Sequence, residues 1–176
     1  AAARPRYLQI PEALRGPLKE VAAEMMAPAA HGGPLVQSQH LKTYFRKHFT
    51  YALGQRMRTG TDPPIQFLTE KRRGHCELFA SAAVLLLRSR GIPARYVTGF
   101  VCAEQHPVGE YWLARLEDAH AWAEMYVNED IGWVLVEATP PSGVPGADTR
   151  FGWFTMIICA SFPKGIDPRR VKEAIE

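Results

Sequence analysis

The chain has 176 residues, 47% of them apolar and 22% charged, with a formal net charge of +3. These are the values of one globular domain with a sizeable core, and the scattered Lys and Arg leave no basic face for nucleic acid. Three cysteines, Cys76, Cys102 and Cys159, with no Cys-x-x-Cys pair and no His pair at ligand spacing, exclude a disulfide framework and a zinc site.

No apolar run is long enough to span a bilayer, and no signal-peptide pattern is present. The chain starts at Ala1 rather than Met, which suggests a piece of a longer protein whose anchor would lie elsewhere.

Tyr7 to Pro11 reads as short and extended. Pro11 then opens a helix with Leu14, Leu18, Val21, Ala22 and Met25 at helical spacing. Pro28 to Pro34 is a break. A second helix carries the stripe Leu41, Tyr44, Phe45, His48 and Phe49, on which His48 reads as a packed core histidine. Residues 54–64 form a polar loop, and Ile65 to Leu68 return the chain to the core.

The next stretch organises the rest. Lys71-Arg72-Arg73-Gly74 is a basic loop of solvated character, and it leads into His75-Cys76-Glu77. From Leu78 to Leu87 the chain is apolar almost all the way round, so this helix belongs in the middle of the domain. Basic residues in its last turn, then Gly91 and Pro93, end it. Cys76 falls in its first turn, where free N–H groups and the helix dipole stabilise a thiolate and can hold an oxyanion.

After Pro93 the pattern changes to alternation. Strands are expected at 94–102, 110–116, 118–127 and 132–137, joined in series as an antiparallel meander. Residues 151–162 offer a further strand, and Asp167-Pro168 opens a short terminal helix. Helices first and strands afterwards make an α+β fold, read as one domain over 1–176, with the cysteine helix packed on the sheet.

Alternation puts His120, Trp122, Glu124 and Tyr126 on one face of the third strand, and Trp133, Leu135 and Glu137 on one face of the fourth. If Val127 faces Gly132 across the turn, Glu137 is the diagonal neighbour of His120, about 7–8 Å away at Cβ. A thiol nucleophile needs a base, and the base needs a partner that fixes its tautomer. Cys76, His120 and Glu137 supply these types in positions that can converge. His75 adjoins Cys76 but points elsewhere on a helix. Asp118 shares the face of His120 and is the alternative orienting acid.

Gly74-His75-Cys76-Glu77-Leu78-Phe79-Ala80, then Arg88 to Arg95, then Asp118-Ala119-His120-Ala121-Trp122, then Gly132 to Pro140, resemble in order the transglutaminase-like superfamily. Residues 62–68 resemble the segment before its cysteine, and coverage is roughly residues 40–141. The resemblance implies a papain-like α+β core, a Cys76 nucleophile and a His120 base. It puts Glu137 where the family usually has Asp. It offers Tyr51 as a second oxyanion donor. It also implies an extracytoplasmic domain of a bacterial membrane protein. The expected chemistry is acyl transfer or amide hydrolysis through a Cys76 thioester, on a peptide or protein donor, with an amine or water as acceptor and no cofactor or metal. The alternatives are a cysteine peptidase or amidase of the same fold, and a non-catalytic domain that binds peptide or cell-wall material.

Overall fold

The computed structural model describes residues 5–102, 104–109, 111–146 and 157–158. Cys159 and the terminal helix expected from Asp167 lie outside the described residues, as does most of the strand expected at 151–162.

Helical segments fill most of the chain ahead of the cysteine helix. A single tight turn, Pro5–Leu8, replaces the extended lead-in expected there; Pro5 pre-sets the first helical position of that turn. Helix α1 (Glu12–Met25) buries Leu18, Ala22 and Met25, and α2 (Pro34–His48) buries Leu41 and Phe45. His48 is exposed, its ring against Tyr44 at 4.4 Å between centroids. It ends α2, where the helix leaves the core, so the stripe does not carry it inside.

The expected loop at 54–64 holds the start of a helix. Asp62 caps α3 (Pro63–Gln66) through Oδ1, which accepts from Ile65 N. A wide turn, Phe67–Lys71, follows and buries Phe67 and Leu68. Arg72 N donates to Phe67 O at 3.0 Å, and Arg72 takes φ 49°. This left-handed residue redirects the chain into a two-residue strand. That strand, β2 (Arg73–Gly74), pairs in parallel with β1 (Thr50–Tyr51).

Helix α4 (Cys76–Ser89) is the central element and buries Leu78, Phe79, Ala80, Ala82, Ala83, Val84, Leu86 and Leu87. Phe79 joins Phe45, Phe49 and Phe67 in an aromatic cluster, 4.9 Å from Phe67 and 5.6 Å from Phe45 between centroids. Full burial of side chains of this size stabilises a fold by about 1.5–3 kcal/mol each.

The α+β architecture is as the sequence implies, with α4 packed against an antiparallel sheet. Within the described residues the sheet runs β7 (Trp133–Val136), β6 (Ala119–Tyr126), β3 (Ala94–Cys102), β8 (Ile157–Ile158). It is not the expected serial meander. β3 pairs directly with β6, from Ala94↔Met125 to Phe100↔Ala119. The strand expected at 110–116 shrinks to β5 (Trp112–Leu113), paired with β4 (Glu104–Gln105) in a separate hairpin. Four positions separate Phe100 from Glu104, but six separate their partners Ala119 and Leu113. The surplus is taken up by a helical turn, Leu116–Asp118, that breaks the returning strand.

The β6–β7 register is the expected one: Glu124 faces Leu135 and Tyr126 faces Trp133. The turn that sets it is built from side chain and backbone together. Asn128 Oδ1 accepts from Ile131 N at 2.8 Å and from Asp130 N at 3.1 Å. Gly132 takes φ 76°, which costs glycine nothing. Val127 N then donates to Gly132 O at 3.0 Å.

Candidate active site

Three elements meet at the N-terminal end of α4. The β1–β2 pair leads into the helix: Thr50 N donates to Arg72 O at 2.9 Å and Ala52 N to Gly74 O at 2.8 Å. His75, extended at ψ 175°, makes no side-chain cap, so the helix N-terminus is left to its backbone N–H groups. Cys76 stands half-buried in this first turn.

His120, on β6, is buried, and so is Glu137, just past β7. His120 Nε2 donates to Glu137 Oε2 at 2.8 Å. The carboxylate has no proton to give, so Nε2 must carry the hydrogen. The other carboxylate oxygen, Oε1, accepts from Thr139 N at 2.8 Å. Both oxygens of a buried acid are thus engaged, and the Glu side chain is pinned at two points. A buried charge is tolerated only when it is bonded in this way.

The second ring nitrogen, His120 Nδ1, is buried and closes no hydrogen bond. Cys76 nonetheless lies within hydrogen-bonding and electrostatic reach of the ring. Burial is the largest single influence on the ring and lowers its pKa. The hydrogen bonds and charges of Cys76 and Glu137 together outweigh it and raise His120 from 6.5 to about 9. Glu137 and Cys76 together therefore favour the protonated form of the His120 ring.

The structure thus brings together Cys76, His120 and Glu137. It leaves the competitors aside. Asp118 is half-buried, and its Oδ2 accepts from Arg115 N at 2.7 Å, closing its own helical turn. His75 Nδ1 lies 3.9 Å from Glu77.

Other neighbours were not singled out for the site from the sequence. Trp122 is fully buried, nearly coplanar with His120 at 19° and 6.3 Å between centroids. Its place two residues on, on the same strand face, was the available signal. Tyr96 is partly exposed; burial raises its phenol pKa, and Glu77 and Cys76 add to the rise. Thr139 had no signal, because its contribution is a backbone N–H. Among the described residues, no group of three or more His, Cys, Asp or Glu could hold a metal ion.

Residues 19–138 match the model of the transglutaminase-like superfamily. The chain belongs to this superfamily. It is 36% identical over 134 residues to the protein-glutamine gamma-glutamyltransferase of Pseudomonas aeruginosa, covering 76% of this chain and 20% of that protein. It is 31% identical over 156 residues to YebA of Bacillus subtilis, an uncharacterised protein, covering 82% and 21%. The chain therefore spans about a fifth of these relatives. Among solved structures, the periplasmic domain of TgpA from P. aeruginosa superposes with a TM-score of 0.65 at 35% identity, over 77% of this chain and 46% of that one. A Cytophaga hutchinsonii structure superposes at 0.59 with 22% identity, over 82% and 44%, a likeness of fold.

Proposed function

We propose that this chain transfers acyl groups through a thioester on Cys76, with His120 as acid–base and Glu137 as the acid that orients it. The observation that carries the reading is the His120–Glu137 hydrogen bond of 2.8 Å, which leaves Nδ1 as the only ring nitrogen able to serve the nearby thiol. An inert binding domain on this scaffold would not need a thiol, an imidazole and a buried acid in reach of one another.

The Cys76 thiolate attacks an amide carbonyl carbon, forming a C–S bond. The oxyanion is held by N–H groups at the start of α4. His120 gives its Nδ1 proton to the leaving nitrogen as the C–N bond breaks, and ammonia or an amine departs. In the second half, Nδ1 takes a proton from the acceptor as the acceptor attacks the thioester. The C–S bond breaks and the thiolate returns. Glu137 keeps the hydrogen on Nε2 throughout and balances the charge of the imidazolium.

A glutamine side chain as donor and an amine as acceptor is the favoured pairing, since a relative at 36% identity bears the name protein-glutamine gamma-glutamyltransferase. Water as acceptor gives an amidase or peptidase from the same intermediate. The proposed setting is extracytoplasmic, after the periplasmic domain of TgpA, and the proposed substrate is a peptide or protein.

The test is mass spectrometry of a glutamine-containing peptide incubated with the protein, with and without a primary amine. Cross-linking of the amine supports the transferase, while deamidation or backbone cleavage supports the hydrolytic form. An unchanged peptide, or the same products from Cys76→Ser, would sink the thioester reading.

A further inference from the structure

Strand β6 carries a second acid that the mechanism above does not use. Glu124 lies four residues beyond His120, its side chain only 12% exposed. Arg95 faces it across the β3–β6 pair. Arg95 Nε donates to Glu124 Oε2 at 2.6 Å, and Nη2 lies 2.6 Å from the same oxygen. A mostly buried carboxylate requires such a partner. The guanidinium is itself seated, 4.4 Å over the centroid of Trp133, a favourable cation–ring contact. The charge of Glu124 is therefore matched on the spot.

The other carboxylate oxygen serves a tryptophan. Glu124 Oε1 accepts from Trp122 Nε1 at 3.4 Å, a long bond. Trp122 is fully buried, and a buried indole N–H needs an acceptor. Among the described residues Glu124 supplies it. The same indole adjoins the catalytic pair. Its plane is within 19° of the His120 ring, with centroids 6.3 Å apart. The β6–β7 register, carried one residue past Ala123↔Val136, sets Trp122 opposite Glu137. A buried aromatic body beside the His120–Glu137 hydrogen bond keeps water from it, and a bond in such surroundings is the stronger. Without Glu124 the indole N–H is a buried donor with no partner, and the ring must turn to find one. The carboxylate across the strand pair is Glu137, whose oxygens His120 and Thr139 already hold.

We propose that Glu124, clamped by Arg95, is a positioning residue for the reaction: it fixes the Trp122 indole, and the indole keeps the His120–Glu137 hydrogen bond dry and aligned. The inference rests on His120 serving Cys76 as acid–base. Because Arg95 matches its charge, Glu124 acts through the indole and not through its own field. Glu124→Asp separates the two. It keeps the charge beside Arg95 but withdraws the acceptor by one methylene from a bond that is already long.

The experiment compares wild type, Glu124→Asp, Trp122→Phe and the double variant. It reads hydrogen exchange at His120 Nε2–H by nitrogen NMR and single-turnover acylation by a glutamine-containing dipeptide, with thermal unfolding alongside. In Glu124→Asp the Nε2–H is expected to exchange roughly fivefold faster or more, as water gains access to it. Acylation should slow on the order of 10-fold, short of the roughly 100-fold that a full 1 Å misplacement costs. Trp122→Phe, which removes the indole N–H, should act in the same direction. In that background Glu124→Asp should change either readout by less than about twofold, because the group it holds is gone. The same change from Glu124→Asp in both backgrounds would overturn the proposal, as would a Glu124→Asp protein with exchange at Nε2–H equal to wild type. If Trp122→Phe does not fold, that exchange rate in Glu124→Asp decides alone. The exchange readout needs no acylation, so a chain that fails to acylate counts against the thioester reading and leaves this comparison to be read separately.

Discussion

Replacing Glu137 with Gln keeps the shape of the side chain and removes its charge. The two donors it now faces, His120 Nε2–H and Thr139 N–H, each stand 2.8 Å from a carboxylate oxygen. A carboxamide has one oxygen and one NH2 and cannot accept from both. In one orientation the NH2 confronts Thr139 N–H, and an unsatisfied buried donor costs about 1–3 kcal/mol. In the other the NH2 confronts His120, which can adapt only by moving its hydrogen from Nε2 to Nδ1. That tautomer has no free pair on Nδ1 to take a proton from the thiol or the acceptor. Loss of tautomer control costs a serine triad about 10,000-fold; a thiol is the better nucleophile, so a loss on the order of 10- to 1,000-fold is expected here. Glu137→Asp keeps the charge but shortens the reach, and should fall between Gln and wild type. The assay is the rate of thioester formation, with circular dichroism as the check on folding and the His120 tautomer read by nitrogen NMR. A Glu137→Gln protein within about twofold of wild type, with the hydrogen still on Nε2, would refute this reasoning.

Four further outcomes are expected. His120→Ala should slow acylation by roughly 100- to 10,000-fold, while His75→Ala and His48→Ala leave it near wild type in the same assay. Asp118→Asn should have little effect on the acylation rate, since its carboxylate serves only its own turn. His120 should titrate by NMR near 9, and its midpoint should fall in both Cys76→Ala and Glu137→Gln, which remove the two groups that raise it. Because the folded value exceeds the unfolded 6.5, the stability that this group contributes is full below 6.5 and lost as pH rises through about 9; denaturant unfolding across that window should show the decline, and Glu137→Gln should flatten it.

Much of the site was legible because it rests on two regular elements. The apolar run from Leu78 to Leu87 marks a central helix, and that alone puts Cys76 at a helix start. Alternation in β6 and β7, with Asn128 and Gly132 marking the turn, gave a register that holds in the paired residues. From that register His120 and Glu137 follow as neighbours. What escaped was irregular. The helical turn at Leu116–Asp118 removes a strand from the sheet, and nothing in the polar residues there announces two surplus positions. The parallel pairing of Thr50–Tyr51 with Arg73–Gly74 is too short to leave a period. Thr139 contributes through its backbone N–H. His48 looked internal because it shares the period of α2, but a helix end can carry an apolar-phase residue out of the core.

The central claim is that Cys76 carries the acyl group, and an acyl adduct located on the chain tests it most directly. The protein is mixed with an activated ester, quenched in acid to preserve a thioester, digested and mapped by mass spectrometry. The account predicts the acyl mass on the peptide containing Cys76, none on Cys102, which is fully buried, and none anywhere in Cys76→Ser. An adduct on another residue, or one that forms equally in Cys76→Ser, would contradict it.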